Sequence, residues 1–586
     1  MQLRLSSTTR RRLAGPLLVG TVLAGVVLIG PSAGGVAAAG CEPPDADAAP
    51  TSEPPDSVAD PAEAQELDSR CDLDPAAYYL AYQGADYDMA TAQPAPGGQP
   101  TSNVVTEDAS AEAGPPRHVP LPPPAEPGPL DDNTFVDAGD SGWVETDADR
   151  ESTFALDVDT GSYTVAQAFL AQGYRPDPDS VRPEEWVNSF DYGDPPAEDA
   201  ALGATVEAGV AAGGEPTLVR IGVATVDLGD EERPPANITF VIDTSGSMDI
   251  RERLGLVKAS LALLVRQLRT DDTIAIVTYG DDADPVLAPT PVAAWREIVD
   301  AIDSLQPGGS TNMEAGLRTG YEQARDSFDP EALNVVVLAS DGVANQGVTD
   351  ADELTEAITQ AGDEGVHLVT IGYGMGNYND HLMEQLANQG DGFYSYVDTY
   401  AEAVRLFVTE LTPTLTVVAA EAKIQVVFDS DVVARYRLIG YENRELDDSD
   451  FRDDSVDAGE LGAGHRVSAV YELDLVNGTT DGAVAGEVRL RWADPDTGEV
   501  TETETPIELG GEASDALRLA TLVAHTAEVL KGGEAVTERG ITLESLLADA
   551  EALAADGVDG AGDIVELLTL ATHASDPSVP ATDVDG

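Results

Sequence analysis

The chain has 586 residues, with 107 acidic against 31 basic side chains and a formal charge of −76. Its length is enough for about three to four domains, and an apolar content of 42% is too high for a wholly disordered chain. The excess of acid excludes binding to DNA or RNA, and adhesion to anionic lipid, through basic patches, because both need clustered Lys and Arg.

The first 40 residues have the pattern of a signal peptide. Four Arg side chains within the first twelve residues precede an almost purely apolar stretch over 13–30, and small residues follow as far as Gly40. This order of basic head, apolar middle and small-residue exit predicts export and cleavage. A retained membrane anchor is the alternative, which Pro16 disfavours. We therefore expect an extracellular or cell-envelope protein.

The two cysteines of the chain, Cys41 and Cys71, have two alternative roles. The run Ala38-Ala39-Gly40-Cys41 resembles a lipoprotein processing site, which would make Cys41 a lipid-bearing N-terminus and the chain's only link to a membrane. Alternatively, an exported pair of cysteines can form a disulfide. Both alternatives stay open at this stage.

Two segments precede the most regular part of the chain. Residues 41–130 are rich in Pro, Ala and acid, a composition that predicts a disordered stalk because it buries too little apolar area to offset its ordering entropy. Residues 131–236 form an N-terminal flanking region of helices and strands. It includes a helix over 163–170, with Val165, Ala168 and Phe169 on one face, and an alternating strand over 217–226.

Residues 237–413 alternate between short apolar strands and amphipathic helices. The strands are expected at 238–242, 273–279, 335–338, 368–371 and 393–397. Near-continuous apolar strands separated by helices predict a doubly wound, mostly parallel α/β sheet covered on both faces. Ligands of such folds bind at the carboxyl ends of the strands.

The rest of the chain changes character twice. Residues 414–510 are rich in strand-forming patterns, one of them over 466–475. Residues 511–575 are helical in two pieces, 514–530 and 543–572, with Ser514 as an expected N-cap, and residues 576–586 are an expected disordered tail. Because the two ends of a domain often lie close together, the strand at 217–226 is expected to pair with strands over 423–507 in one β-sandwich. The α/β domain would then be inserted into this β-rich flanking domain.

Oxygen ligands follow three strands or loops of the α/β region. Asp243, Ser245 and Ser247 form an Asp-x-Ser-x-Ser loop after the first strand, Thr311 lies at a helix entry, and Asp341 follows the strand at 335–338. Two carboxylates and three hydroxyls are hard ligands that suit Mg²⁺ or Mn²⁺, and Ca²⁺ less strictly. Zinc is disfavoured because no His or Cys belongs to the set.

These residues resemble the metal-ion-dependent adhesion site of the von Willebrand factor type A (VWA) domain. The resemblance implies that all five residues are ligands of one divalent cation, and it covers about a third of the chain. Segments 152–163, 437–444 and 462–465 also resemble those that flank this domain in one bacterial cell-envelope subfamily. These flanking segments make the family resemblance more specific, but they add no prediction about function.

The function expected from this resemblance is binding rather than catalysis, and no catalytic residue is assigned. We expect an exported cell-surface adhesion protein in which the cation takes a carboxylate from a protein or an acidic glycan. The alternative is a structural or assembly scaffold of a cell-envelope complex, in which the metal is structural. Because the chain is strongly acidic, the cation must supply the local positive charge for an acidic partner.

Overall fold

The computed structural model describes the chain in separate segments, whose regular elements are strands and helices. The described residues are 69–83, 135, 139–156, 159–198, 200–210, 216–228, 233–341, 358–362, 364–374, 380–410, 416–454, 456, 458–495 and 497–575. The strands are β1 Val144–Glu145, β2 Glu151–Ala155, β3 Leu202–Val210, β4 Thr217–Thr225, β5 Ala236–Asp243, β6 Thr273–Tyr279, β7 Ala283–Pro291, β8 Leu333–Ser340, β9 His367–Tyr373, β10 Tyr394–Val397, β11 Val417–Phe428, β12 Val433–Ile439, β13 Gly459–Gly462, β14 Arg466–Leu475, β15 Val484–Ala493 and β16 Val500–Glu508. The helices are α1 Pro75–Ala81, α2 Gly161–Ala171, α3 Pro183–Asn188, α4 Leu256–Gln267, α5 Trp295–Ser304, α6 Met313–Asp326, α7 Asp380–Gln389, α8 Tyr400–Val404, α9 Asp515–Lys531, α10 Glu534–Glu538, α11 Leu543–Asp556 and α12 Ala561–His573. The predicted signal peptide, Cys41 and the predicted tail lie outside these residues.

A six-stranded sheet forms the α/β domain, in the order β10-β9-β8-β5-β6-β7. Neighbouring strands are parallel except at the β6–β7 edge. One apolar core contains residues of α4 and α5, and a second contains residues of α6 and α7. The central strands are β-branched runs because both of their faces are buried. The predicted doubly wound, mostly parallel fold is confirmed.

Two further sheets form a β-sandwich around the insertion point of this domain. One has the order β1-β12-β14-β4-β3, and the other has the order β13-β11-β15-β16, with β2 pairing on β11. Their facing side chains share one core. Strand β4, before the α/β domain, pairs with β14, after it, from Thr217 opposite Leu473 to Ala224 opposite Arg466. The predicted insertion into a sandwich built from both flanks is therefore confirmed.

The C-terminal helices pack together with α2 and α3 in one apolar core. Ser514 caps α9 as predicted, because its side chain accepts a hydrogen bond from the backbone N–H of Leu517. The single helix expected over 543–572 is instead two helices. Gly557 and Gly560 both have positive φ; Gly557 ends α11, and Gly560 immediately precedes α12. Among the described residues, no helix is both long and apolar enough to cross a membrane.

The sandwich contacts the α/β domain at the edge where β9 and β10 begin. Asp159, only 2% exposed, accepts a hydrogen bond from the backbone N–H of Tyr394 at 3.0 Å and one from Arg444 Nη2 at 3.3 Å. The ring of Phe393 meets the ring of His465 edge-on. Asp159, Arg444 and His465 belong to the three flanking segments singled out in the sequence. Those segments therefore form the junction between the two folds.

The predicted disordered stalk over 41–130 is wrong for one segment, residues 69–83. Helix α1 packs on the α/β domain, where Tyr79 stacks on Tyr400 with ring centroids 6.3 Å apart and Tyr82 donates a hydrogen bond to Asp249. Arg70 is 2% exposed and donates to the backbone oxygen of Leu268, at the end of α4, at 2.7 Å. The segment is ordered because these side chains supply the burial and helix-end contacts that the surrounding composition lacks.

The Arg70→Met variant should test how firmly this segment is held. We expect the free energy of unfolding to fall by about 2 kcal/mol, because charge-assisted hydrogen bonds to the α4 carboxyl end are lost. Urea unfolding measures the change. Arg296→Met, which removes an arginine stacked on Trp295, is the control and should change stability by less than about 1 kcal/mol. Equal stability of the Arg70→Met variant and the wild type would contradict the docking contact.

Candidate metal centre

The first part of the site is the loop that follows β5. Asp243 is the last residue of this strand and is completely buried. Its Oδ1 atom accepts a hydrogen bond from the backbone N–H of Ser245 at 2.7 Å, and its Oδ2 atom accepts one from Ser340 Oγ at 3.1 Å. The carboxylate is therefore held in one orientation by its own loop and by the end of the neighbouring strand β8.

The two serines of the motif bring their hydroxyl oxygens together. Ser245 Oγ and Ser247 Oγ lie 2.9 Å apart on the 3₁₀ turn of residues 246–248. Ser245 is 2% exposed. The Ser245 side chain also hydrogen-bonds the Asp243 carboxylate, so this hydroxyl lies beside the buried carboxylate and the Ser247 hydroxyl lies next to it.

A second loop holds Thr311 against the first. The backbone N–H of Gly246 donates to the backbone oxygen of Gly309 at 3.1 Å, and the backbone N–H of Gly308 donates to that of Thr244. Gly309 has a φ of +92°, and a side chain there would meet the backbone nitrogen of Asp281 at 3.0 Å. Glycine is therefore required at this position for the loop that carries Thr311 to turn here and pack against Asp281. Thr311 follows in this loop and is 2% exposed.

Asp341 follows β8 and supplies the second carboxylate. It is completely buried, and its Oδ2 atom accepts a hydrogen bond from Arg253 Nη1 at 2.6 Å. The same nitrogen donates to the backbone oxygen of Ser247 at 3.0 Å. Asp341 Oδ1, in contrast, is buried with no hydrogen-bond partner among the described residues. This oxygen lacks the compensation that a buried carboxylate needs.

The electrostatics of the site call for positive charge. Burial, and next the charge of Asp341, raise the pKa of Asp243 well above its usual range, although the hydrogen bonds from Ser245 and Ser340 act in the opposite direction. Two buried carboxylates close together cannot both stay ionised at low cost unless a cation compensates them. A divalent ion beside them would supply that compensation.

The donor set fits a hard divalent cation. It offers carboxylate and hydroxyl oxygens together with the partnerless oxygen of Asp341, which are ligands that Mg²⁺ and Mn²⁺ prefer. Within the described part of the chain, no group of three or more His, Cys, Asp or Glu side chains is placed to hold a metal ion. The candidate set therefore relies on hydroxyl oxygens beside only two carboxylates. The structure thus brings the five sequence-predicted residues to two hydrogen-bonded loops and the end of the adjoining strand.

Two residues of the site were missed from sequence. Ser340 is visible as the residue before Asp341, but its bond to Asp243 depends on the pairing of β8 with β5. The sequence does not indicate that Arg253 belongs to the site, because a charged residue at the start of an amphipathic helix is typical of a solvated face. In the structure it lies in a π-helical turn, residues 251–255, and is 2% exposed.

The family models identify the class of protein. The von Willebrand factor type A domain matches residues 237–410, and a second model, described as von Willebrand factor, matches residues 129–213. The model described as "Uncharacterized protein YfbK, C-terminal" matches residues 413–576. The chain is therefore a VWA domain protein with bacterial flanking segments, as the sequence resemblance predicted.

Individual relatives narrow this class to one family. The "Uncharacterized protein YfbK" of Escherichia coli is 38% identical over 411 residues, which cover 65% of this chain and 71% of that protein. The chain belongs to the YfbK family. An inter-alpha-trypsin inhibitor heavy chain of Mus musculus is 29% identical over 193 residues, which cover 31% of this chain and 20% of that protein. Among solved structures, a von Willebrand factor type A protein from Catenulispora acidiphila has a TM-score of 0.37 at 18% identity and covers 63% of this chain and 89% of that one.

Proposed function

We propose that this protein is an exported surface protein that binds a carboxylate-bearing partner through a divalent cation. Membership of the VWA domain family is consistent with a role in adhesion or protein interaction. The cation is Mg²⁺ or Mn²⁺, with Ca²⁺ a weaker fit. The proposed ligands are the residues predicted from sequence, Asp243, Ser245, Ser247, Thr311 and Asp341.

One observation carries the proposal, namely the buried Asp341 Oδ1 atom without a hydrogen-bond partner in the described chain, close to Asp243. The three hydroxyls would hold the cation, and the two carboxylates would balance its charge. A bound divalent ion supplies a concentrated positive charge that a partner's carboxylate can approach. The remaining coordination position would take the carboxylate of a protein or of an acidic glycan.

The location of the site supports binding to a partner rather than a purely internal role. Asp243 and Asp341 follow the carboxyl ends of β5 and β8, whereas the sandwich contacts residues at the amino ends of β9 and β10. In a parallel sheet, the carboxyl ends and the amino ends of the strands lie on opposite sides. The candidate site therefore lies at the carboxyl ends of the strands, on the side away from the sandwich.

Export is also part of the proposal. It is supported by the signal-peptide pattern of the first 40 residues and by Cys71, which is disulfide-bonded in the structure. Disulfides persist mainly in oxidising compartments. Cys41, outside the described residues, is the other cysteine of the chain. These observations favour the disulfide over a lipid on Cys41.

Mass spectrometry of the mature protein tests this assignment. We expect the N-terminal peptides that contain Cys41 and Cys71 to run as one linked species and to separate after reduction, because an exported pair is oxidised. The matched control is Cys71→Ser, in which no linked species should form. A diacylglyceryl adduct on Cys41 would contradict the disulfide and would instead establish a lipid anchor.

Metal-dependent capture of a partner tests the binding function itself. Immobilised protein would be incubated with a cell-envelope fraction in Mg²⁺ or in EDTA, in parallel with the Ser245→Ala variant. We expect a partner that is retained only by the wild type in Mg²⁺ and is released by free acetate, which competes as a carboxylate. Capture in EDTA, or by the Ser245→Ala variant, that equals capture by the wild type in Mg²⁺ would contradict the proposal and support the scaffold alternative.

A further inference from the structure

The charge count at the candidate site includes a third buried group, Arg253. It lies in the π-helical turn of residues 251–255 and donates through one nitrogen to Asp341 Oδ2 at 2.6 Å and to the backbone oxygen of Ser247 at 3.0 Å. The ion pair is buried on both sides, with side-chain exposures of 3% for Arg253 and 0% for Asp341. Its charge is therefore poorly screened by solvent.

The backbone around Arg253 is adapted to hold it. π-helical turns are rare and concentrate at functional sites. Across the site, Gly374 follows β9 with a φ of +69°, and a side chain there would lie 2.7 Å from Arg253 Cγ and 3.1 Å from Arg253 Nε. Only glycine leaves room for the arginine stem at that position. Arg253 is thus enclosed between the motif loop, Asp341 and the end of β9.

The guanidinium changes the net charge that a cation would meet. Asp243 and Asp341 together contribute two negative charges when ionised, and Arg253 cancels one of them. A divalent ion then brings the site to a net charge of about +1, whereas the same site without Arg253 would reach only neutrality. On a chain with a formal charge of −76, this difference decides whether an anionic partner meets a positive site.

We propose that Arg253 determines the ligand preference of the metal site, weakening its hold on the cation and strengthening its attraction for a carboxylate. This inference rests on the proposed metal-binding function. The guanidinium repels the cation and, through the same charge, makes the loaded site attractive to an anion. It is fixed beside Asp341 without taking the partnerless Oδ1 atom, which stays available.

Calorimetric titration with Mn²⁺, with and without acetate as the carboxylate probe, tests the inference. Arg253→Gln removes the charge but keeps an amide donor. We expect this variant to bind Mn²⁺ at least about tenfold more tightly than the wild type. Acetate should tighten Mn²⁺ binding by the wild type and should have a smaller effect on the variant, because binding of the two ligands is reciprocally coupled.

Two further variants complete the design. Arg251→Gln removes an arginine of the same turn that is exposed and paired with Glu252, and it should change Mn²⁺ affinity by less than about twofold because solvent screens its charge. If Arg253→Gln does not fold, as judged by circular dichroism, Arg253→Met keeps the straight stem beside Gly374 and is measured instead, with the same expected result.

The outcomes separate this inference from the proposed function. If the wild type binds Mn²⁺ and the neutral variant binds it equally or more weakly, the role of Arg253 is overturned and the metal site stands. The same holds if acetate affects both proteins equally. If the wild type itself binds no Mn²⁺, the proposed function and the inference are both overturned.

Discussion

Asp243→Asn should weaken Mg²⁺ or Mn²⁺ binding by about a hundredfold or more. The substitution removes one of the two negative charges of the candidate site, and a neutral amide oxygen interacts far less strongly with a divalent ion than a buried carboxylate does. Isothermal titration calorimetry measures the affinity directly. Wild-type affinity in this variant would rule out the assigned site.

The same variant should remain folded, which makes the loss of metal binding interpretable. An asparagine oxygen can accept the hydrogen bond from the Ser245 N–H, and the side-chain amide can donate to Ser340 Oγ. Because the charge of Asp341 disfavours ionised Asp243, stability in EDTA should be equal to that of the wild type or greater. Thermal unfolding in EDTA measures this.

A nearby carboxylate provides the matched control. Asp281 accepts hydrogen bonds from the N–H and the hydroxyl of Ser310, in the loop that carries Thr311, but it is exposed and is not a proposed ligand. Asp281→Asn should change metal affinity by less than about threefold. Asp341→Ala is a less suitable test, because it would leave the buried guanidinium of Arg253 uncompensated and would destabilise the fold itself.

Features set by local sequence could be predicted accurately. Strand β6 has the predicted bounds, 273–279, and β14 has its predicted bounds, 466–475, because apolar periodicity reports burial on a pleated sheet. Residues Val165, Ala168 and Phe169 of α2 share one core as expected. The candidate metal residues are recognisable for a similar reason, since three of them occupy one short loop and the other two lie at strand or helix ends.

Features set by distant contacts could not be predicted. The edge strands β3 and β7 were missed because partly solvated edges lack a continuous apolar run. Helix α1 was not predicted because the composition around it is Pro-rich. The order of its segment depends on the hydrogen bond from Arg70 to the backbone oxygen of Leu268, almost two hundred residues away. Arg253 was not predicted for the same reason, since its burial depends on Asp341, which is 88 residues further along the chain.

The second large effect is expected at the junction of the two folds, for Asp159→Ala. We expect the free energy of unfolding to fall by about 3–5 kcal/mol, because the variant removes one partner of a largely buried ion pair. The backbone N–H of Tyr394 would lose its acceptor, and Arg444, whose side chain is 16% exposed, would lose one carboxylate partner while keeping its contacts to Asn388 and Glu384. Urea unfolding measures the change.

Glu445→Gln, which alters an exposed side chain beside Arg444, is the control and should change stability by less than about 0.5 kcal/mol. Metal affinity should stay within about twofold of the wild type in Asp159→Ala, because the candidate site lies at the opposite edge of the sheet. Strand β5 alone separates the two edges by about 25 Å, and distant sites are usually additive. A large loss of stability with unchanged Mn²⁺ affinity would therefore mean that the flanks serve to hold the VWA domain. A parallel loss of Mn²⁺ affinity would mean that the junction and the metal site are energetically coupled.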